Sequence, residues 1–317
     1  MSDPDVAVLR QKIHGLSAEE YAETLRERLP DHEVALARTP TEERDLLSRV
    51  SVATGFTVDP EMLAETDLDL FACIYAGTGH LPMDALAEHG VAVTNASGVH
   101  GPNIAEHVLG AILSFSRDFH TAFRRRERRE WRSFPTRELA GSTVTVVGLG
   151  AIGQAVVDRL EPFDVHTVGV RYTPEKGGPT DEVYGFEGIH EAVADADYVA
   201  VAAPLSDATE GLFDSQVFRT MAPESVLVNV GRGPIVDTDA LVSALRRNAI
   251  RGAALDVTDP EPLPADHPLW GFDNVLLTPH NAGHTPKYWE RMADILERNL
   301  EIAAETGAFE GLENQVI

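Results

Sequence analysis

The chain has 317 residues, more than the roughly 250–300 that a single hydrophobic core usually serves, so two domains are expected. Its formal net charge of −25 argues against nucleic acid or an anionic membrane as a partner, and no apolar run approaches the ~20 residues of a membrane-spanning helix. The single cysteine, Cys73, excludes an internal disulfide framework and is expected to be a small buried residue. Because the acidic N-terminus carries no signal peptide, a cytoplasmic location is predicted.

The first 95 residues alternate short apolar segments with helical patterns, which is typical of a parallel α/β sheet. The predicted strands are residues 6–10, 33–37, 50–53, 70–75 and 91–94. The predicted helices are residues 17–29, capped by Ser17, and residues 41–47, 59–64 and 83–88. A turn-rich segment at residues 95–98 is the candidate domain boundary.

Two glycines follow the strand at residues 70–75, in the segment Gly77-Thr78-Gly79. In open α/β sheets, ligands bind beyond the carboxyl ends of the strands, and glycines there expose backbone N–H groups to an anion. An anion site and a plain tight turn are equally good interpretations of this segment alone.

An arginine-rich run occupies residues 124–132, after a helix predicted at residues 102–119. Such a run can indicate nucleic-acid binding, but the strongly acidic chain argues against it. A solvated helix face or a contact between subunits is therefore expected.

From residue 143 the chain repeats a strand followed by a helix, which predicts a doubly wound parallel sheet that ends near residue 283. The predicted strands are residues 143–147, 165–170, 198–203, 225–230, 252–257 and 275–278. The predicted helices are residues 152–160, 189–194 and 238–247. A last helix, at residues 287–304, has an apolar stripe that must pack on a core. If it returns to the first core, the domains are residues 1–97 with 285–317, and residues 98–284.

A glycine pattern lies between the strand at residues 143–147 and the helix that follows it. In this context Gly148, Gly150 and Gly153 match the dinucleotide-binding fingerprint. The three glycines serve, in order, the tight turn, the approach of the pyrophosphate and the packing of the helix. The N–H groups of the first helical residues, Ala151 and Ile152, would face the phosphates. An ordinary glycine-rich turn is the alternative.

Arg171 stands at the end of the next predicted strand, 171 − 148 = 23 positions after Gly148. An acidic residue roughly 20 positions beyond the glycines usually bonds the ribose 2′-OH of NAD, whereas an arginine attracts the 2′-phosphate of NADP. Tyr172 and Thr173 could add hydroxyl contacts. These residues predict that NADP(H) is preferred and NAD(H) also usable, unless Arg171 is an ordinary surface arginine.

Three charged residues lie just past strand ends in the second half of the chain: Arg232, Glu261 and His280. Arg232 can clamp the carboxylate of a 2-oxo acid, His280 can protonate the carbonyl oxygen as a hydride arrives, and Glu261 can fix the imidazole tautomer. The alternatives are a turn-capping arginine, a solvated carboxylate and a core histidine. Asp256 could accept a hydrogen bond from the nicotinamide carboxamide, which we favour, or cap the following turn.

Together these stretches resemble the D-isomer-specific 2-hydroxyacid dehydrogenase family. The matching segments are residues 95–98, 105–107, 148–153, 203–205 with Thr209, 228–233, 254–264, 267–270 and 278–280. The resemblance implies two Rossmann- or flavodoxin-like doubly wound domains separated by an active-site cleft, with a substrate domain formed by both chain ends. It also implies a homodimer through the cofactor domains and catalysis by Arg232, Glu261 and His280.

The same resemblance assigns further binding residues. The residues implied to line the cofactor are Ala203, Pro204, Thr209 and Val230. Of these, Pro204 and Thr209 would lie by its adenosine half. The segment at residues 77–79 would offer N–H groups to the substrate carboxylate. His80 and Pro82 fall where many relatives have other residues, which leaves the choice of substrate open. No metal site is predicted.

These residues predict an NADP-preferring reductase that converts small 2-oxo acids to D-2-hydroxy acids. Reduction of glyoxylate or hydroxypyruvate is the alternative within the family. A non-catalytic dinucleotide sensor that regulates a protein partner is the alternative from another class. Formate oxidation is less favoured, because relatives that perform it pair the histidine with a residue other than Glu261.

The acid-rich surface resembles that of proteins from salt-loving organisms, whose cytoplasm screens self-repulsion. We therefore predict loss of structure in dilute buffer and its recovery in molar salt, measured by circular dichroism and thermal melts. Full activity and an unchanged melting temperature without salt would contradict this prediction.

Overall fold

The computed structural model describes residues 4–13 and 15–317. The chain forms two compact units, of which the first comprises Met1–Val99 and Thr285–Ile317, and the second comprises His100–His284. The β-strands are β1 (Val6–Val8), β2 (Val34–Leu36), β3 (Val52–Gly55), β4 (Leu70–Cys73), β5 (Ala92–Thr94), β6 (Thr143–Val147), β7 (His166–Val170), β8 (Glu182–Tyr184), β9 (Tyr198–Val201), β10 (Val226–Asn229), β11 (Gly252–Leu255) and β12 (Val275–Leu277). The α-helices are α1 (Ala18–Arg28), α2 (Pro40–Leu47), α3 (Pro60–Leu63), α4 (Met83–Glu88), α5 (Gly101–Ser116), α6 (Phe119–Glu127), α7 (Ala151–Leu160), α8 (Ile189–Ala194), α9 (Val217–Thr220), α10 (Thr238–Arg246) and α11 (Tyr288–Thr306).

The first unit is built on a five-stranded parallel sheet with the order β2-β1-β3-β4-β5. This is the strand order of flavodoxin-like folds. Strands β3 and β4 are buried along their whole length, as expected for parallel strands that are covered on both faces. Helix α1 begins at a capping box between Ser17 and Glu20, which confirms the helix start predicted from the sequence.

Helix α11, near the end of the chain, packs into the first unit. Trp289 stacks on Tyr21 of α1, with 4.4 Å between the ring centroids. Met292 and Leu296 belong to the same buried core, which also contains residues of β1, β3 and β4. The first unit is therefore made from both ends of the chain.

The second unit contains a seven-stranded parallel sheet with the order β12-β11-β10-β9-β6-β7-β8. From β6 the strands extend in one direction to β8 and then in the other direction from β9 to β12. This reversal is the doubly wound arrangement of Rossmann folds, in which ligands bind at the carboxyl ends of the strands where the order reverses. The two parallel sheets confirm the fold class that the sequence predicts.

Several short elements differ from the prediction. The helix predicted at residues 102–119 is interrupted at Asp118, whose left-handed φ of 56° separates α5 from α6. Strand β8 and helix α9 are not predicted from the sequence. Strand β8 has no fully buried residue, so no buried apolar run marks it in the sequence. Strand β8 is instead defined by its pairing with β7.

Cys73, at the end of β4, is fully buried. Burial raises the pKa of its thiol to about 11, so the sulfur stays protonated at neutral pH. This confirms the prediction of a small buried residue. Among the described residues, no helix is both long and apolar enough to span a membrane.

Candidate active site

The turn between β6 and α7 carries the three glycines, and the structure explains two of them sterically. Gly148 has a left-handed φ of 98°, and a Cβ there would lie 2.6 Å from the backbone nitrogen of Ala203. A Cβ on Gly153 would lie 1.9 Å from the carbonyl oxygen of Gly148, so α7 can approach the turn only without a side chain. A Cβ on Gly150 would meet no described atom within 4 Å. The space beside Gly150 is therefore open to a ligand.

Helix α7 starts directly at this turn. Its N-cap is Gly150, which offers no side chain to the first N–H groups, and the N–H of Gln154 donates to the carbonyl of Gly150 at 2.9 Å. In the described part of the chain, the N–H groups of Ala151 and Ile152 meet no protein acceptor. Unpaired N–H groups at the positive end of a helix dipole fit a pyrophosphate.

Arg171 lies at the carboxyl end of β7, beside the strand that leads into the glycine turn. Its backbone N–H donates to the carbonyl of Tyr184 in β8, 3.0 Å away. Its Nη1 donates to the carbonyl of Gly177, 2.6 Å away, so the guanidinium is held over the loop between β7 and β8. Tyr172 is 79% exposed and Thr173 is half-buried. Recognition of a 2′-phosphate by these residues stays a prediction.

The other residues predicted to line the cofactor lie at the carboxyl ends of β9 and β10. Ala203 and Val230 are buried there. Thr209 is also buried, and its Oγ1 donates to the carbonyl of Pro204 at 2.7 Å and accepts the N–H of Ser206 at 2.9 Å. Thr209 therefore shapes the loop after β9, while its contact with adenosine stays a prediction.

In the first unit, Gly77-Thr78-Gly79 follows β4. Gly77 and Gly79 are exposed, and the carbonyl of Thr78 accepts the N–H of Leu81 at 2.9 Å. Over the described ranges, the N–H groups of residues 77–79 donate to no protein acceptor. The segment is thus a tight turn that also leaves N–H groups for an anion, and its binding of a substrate carboxylate stays a prediction.

Arg232 projects from the carboxyl end of β10 between two closely packed glycines. A Cβ on Gly231 would lie 2.7 Å from the carbonyl oxygen of Ala203, and one on Gly233 would lie 2.0 Å from that of Thr258. The Arg232 side chain is exposed, and its Nη1 donates to the carbonyl of Gly231 at 2.7 Å. A guanidinium has five N–H groups, so this arginine can still form a bidentate bond to a carboxylate.

His280 and Glu261 are in direct contact. Nδ1 of His280 lies 2.7 Å from Oε1 of Glu261. Their side chains are 49% and 42% exposed, so His280 is not a core histidine. Glu261 is not a purely solvated carboxylate, because it is paired with His280. A carboxylate at Nδ1 makes that nitrogen the donor and leaves Nε2 to face a substrate. The pair therefore has the geometry of a histidine whose tautomer is set by a carboxylate.

Asp256 holds the turn that carries His280. Its buried carboxylate accepts the hydroxyl of Thr278 at 2.6 Å and the N–H groups of Asn281 and Ala282 at 2.8 and 2.9 Å. His280 has a left-handed φ of 51°, a conformation that non-glycine residues rarely adopt unless their surroundings enforce it. Both oxygens of Asp256 thus accept protein donors, so this residue caps the turn. A nicotinamide contact stays a prediction.

A cavity of about 410 Å³ opens beside the histidine–glutamate pair. Its lining includes His280, Glu261, Leu263, Trp270 and Leu277. Small-molecule sites have volumes of roughly 300–1,000 Å³ and mostly apolar walls. The histidine–glutamate pair thus borders a space that can take a small ligand.

These groups share one edge of the sheet in the second unit. Glu261 and His280 follow β11 and β12, and Arg232 follows the neighbouring β10. Among the described residues, Arg232 forms no hydrogen bond or ion pair with either of them. This edge combines a turn whose N–H groups fit a pyrophosphate, an exposed arginine and a histidine paired with a carboxylate. This combination fits a nicotinamide dinucleotide-dependent oxidoreductase.

Comparisons with known proteins agree with this class. Residues 109–282 match the NAD binding domain of the D-isomer specific 2-hydroxyacid dehydrogenases. The glyoxylate reductase of Thermofilum pendens is 36% identical over 254 residues, which cover 77% of this chain and 74% of that protein. The glyoxylate reductase/hydroxypyruvate reductase of Homo sapiens is 33% identical over 253 residues, which cover 77% of this chain and 76% of that protein.

A solved structure extends the comparison over the whole chain. The D-isomer specific 2-hydroxyacid dehydrogenase of Xanthobacter autotrophicus Py2, in complex with NADPH and MES, has a TM-score of 0.76 and 27% sequence identity. The match covers 100% of this chain and 98% of that one. The chain belongs to the D-isomer specific 2-hydroxyacid dehydrogenase family, as the motifs predict, and is an NAD(P)-dependent oxidoreductase.

The sequence assigns no individual role to three residues of the site, Gly231, Gly233 and Thr278. Gly231 and Gly233 fix the backbone on both sides of Arg232, and two glycines around a charged residue at a strand end are a signal that could have revealed them. Thr278 is 22 positions from its partner Asp256, and no local pattern shows that the two side chains meet.

The steric difference between two glycines of the turn predicts different outcomes for the same substitution. Gly150→Ala should keep its melting temperature, because the new methyl meets open space, but should bind the dinucleotide about tenfold more weakly or worse, because that space is the approach path. Gly153→Ala should melt at a lower temperature, because the backbone of Gly148 must move. Fluorescence titrations with NADPH and thermal melts separate the two effects. Wild-type affinity in Gly150→Ala would contradict this assignment.

Proposed function

We propose that this protein reduces small 2-oxo acids to D-2-hydroxy acids and prefers NADPH. The observation that carries the proposal is the 2.7 Å contact between Nδ1 of His280 and Oε1 of Glu261, at the carboxyl edge of a dinucleotide-binding sheet. A proton donor held by a carboxylate can neutralise the charge that develops on a carbonyl oxygen during hydride addition. A cytoplasmic location is part of the proposal.

In the proposed reaction the bound cofactor supplies the hydride. Arg232 binds the substrate carboxylate through parallel N–H bonds and polarises the ketone oxygen. Nε2 of His280 gives its proton to that oxygen, while Glu261 accepts the hydrogen at Nδ1 and keeps the ring oriented. The N–H groups of residues 77–79 are available to a substrate carboxylate, so the first unit is the proposed substrate domain and the second unit the proposed cofactor domain.

Glyoxylate and hydroxypyruvate are the second candidate substrates. The relative from Thermofilum pendens is named a glyoxylate reductase, and the one from Homo sapiens a glyoxylate reductase/hydroxypyruvate reductase. Both compounds are 2-oxo acids, so the same three residues apply and only the side chain differs. A spectrophotometric screen of 2-oxo acids of rising chain length, with NADPH and NADH, distinguishes these substrates.

The exposed arginine-rich segment supports a homodimer through the second unit. Trp131 is fully exposed, and the guanidinium of Arg125 lies 4.9 Å from the ring centroid of Phe134. A fully exposed tryptophan is uncommon on a monomer, so we expect Trp131 to be buried against a second copy of the chain. The arginines would then meet an acidic partner surface.

His280→Ala tests the role of the proton donor. The variant should lose about 10²–10⁴-fold in kcat, the usual contribution of general acid catalysis, while its Kd for NADPH stays unchanged. The matched control is His89→Ala, which removes an exposed histidine of the first unit and should keep wild-type kcat. A His280→Ala enzyme with more than half of the wild-type kcat would refute the assignment.

Arg171→Asp tests the preference for NADPH. The wild type should bind NADPH more tightly than NADH by about 1–3 kcal/mol, the usual gain for hydrogen bonds to a charged group. The variant should reverse this preference and largely keep its kcat with NADH, because the aspartate repels the 2′-phosphate and accepts the 2′-OH. Arg38→Asp makes the same charge change at an exposed site of the first unit and should leave the preference intact. Equal Michaelis constants for both cofactors in the wild type would contradict the prediction.

A further inference from the structure

The turn that carries His280 is held from a second side by helix α5. Nδ2 of Asn103 donates to the carbonyl of Ala282 at 2.7 Å. Nε2 of His107 lies 3.3 Å from Oγ1 of Thr278. Asn103 and His107 are four positions apart and therefore share one face of α5. This face supports both ends of the turn.

The bond between His107 and Thr278 has a defined direction. A threonine hydroxyl has one hydrogen, and that of Thr278 points at Oδ1 of Asp256, 2.6 Å away, which is an acceptor. Oγ1 of Thr278 must therefore accept from His107, whose Nε2 carries the hydrogen. Nε2 of His107 also lies 4.0 Å from Oδ1 of Asp256. A directed chain of donors thus runs from α5 to the buried carboxylate.

The same carboxylate fixes the backbone of the turn. It accepts the N–H groups of Asn281 and Ala282, while the backbone carbonyl of Asp256 accepts the N–H of His280 at 2.8 Å. Ala282 is consequently held at its N–H by Asp256 and at its carbonyl by Asn103. These hydrogen bonds hold His280 in its left-handed conformation. A shift of the bonded groups would therefore change the direction of the imidazole.

We propose that His107 and Asn103 are positioning residues, which act on His280 through Thr278, Asp256 and Ala282. The proposal rests on the function proposed above, in which His280 is the proton donor. The two α5 side chains contribute by keeping the imidazole in bonding distance of Glu261 and its Nε2 in line with the carbonyl oxygen.

The test compares variants at position 107 by kinetics. His107→Leu keeps an apolar bulk and removes the donor, whereas His107→Gln keeps an N–H donor. His107→Leu should lower kcat by about ten- to a hundredfold, the range expected for a misplaced catalytic group, with the substrate KM and the Kd for NADPH within about twofold. His107→Gln should recover most of this loss. Asn103→Leu should reproduce the loss at the other end of the turn, and Glu106→Gln, at an exposed neighbour on α5, should behave as wild type.

A spectroscopic readout separates positioning from simple stabilisation. Long-range ¹H–¹⁵N spectra of ¹⁵N-histidine-labelled protein report which ring nitrogen of His280 carries the hydrogen. In spectra recorded with the imidazole neutral, the wild type and His107→Gln should show the Nδ1–H form, and His107→Leu should show a mixture with the Nε2–H form. A lower melting temperature with unchanged kcat and unchanged His280 spectrum would overturn the proposal.

Two further outcomes are decided by the same experiment. If His107→Leu does not fold, Asn103→Leu and His107→Gln carry the comparison, and wild-type kcat and spectra in Asn103→Leu overturn the proposal. If the wild type reduces no 2-oxo acid, the proposed function fails. The His280 spectra of the variants then still show whether α5 positions the imidazole.

Discussion

The parallel direction of the strands in the second unit is the constraint on which the site depends. Each strand of the seven-stranded sheet must be followed by a crossover before the next parallel strand begins, so the carboxyl ends of all strands lie on one edge. Gly150, Arg171, Arg232 and His280 each follow a different strand and are consequently brought to that edge. The N-terminus of α7, whose unpaired N–H groups fit a pyrophosphate, lies on the same edge for the same reason.

The groups that would act on a substrate and the groups that support them differ in burial. His280, Glu261 and Arg232 are exposed, whereas Asp256 is 4% exposed. Burying a carboxylate costs several kcal/mol, and a left-handed non-glycine residue costs of order 1–3 kcal/mol. Three hydrogen bonds to the carboxylate, each contributing about 1.5–3 kcal/mol, offset both costs. The conformation of His280 is therefore stable only with its buried support.

The sequence predicts those features that local patterns encode. Apolar runs locate the strands, and the strand ends locate Arg232, Glu261 and His280 because ligand sites follow strand ends in such sheets. The features that it misses depend on pairing in space. Strand β8 exists because it pairs with β7, and it holds the backbone of Arg171. The protein contacts of Asp256 are missed for the same reason, since its donors come from a turn more than 20 positions away.

The chain has a net charge of −25 and should repel the anionic cofactor and the anionic substrate that it is proposed to bind. The repulsion from the whole surface and the hydrogen bonds at the site act over different distances. The repulsion from the whole surface extends over a Debye length, which is about 8 Å at physiological ionic strength and about 3 Å at 1 M. Hydrogen bonds from Arg232, from Arg171 and from the N–H groups at the start of α7 act at about 3 Å or less. Molar salt therefore removes most of the repulsion while these direct contacts persist, so the acidic surface and the proposed anion site are compatible at high ionic strength.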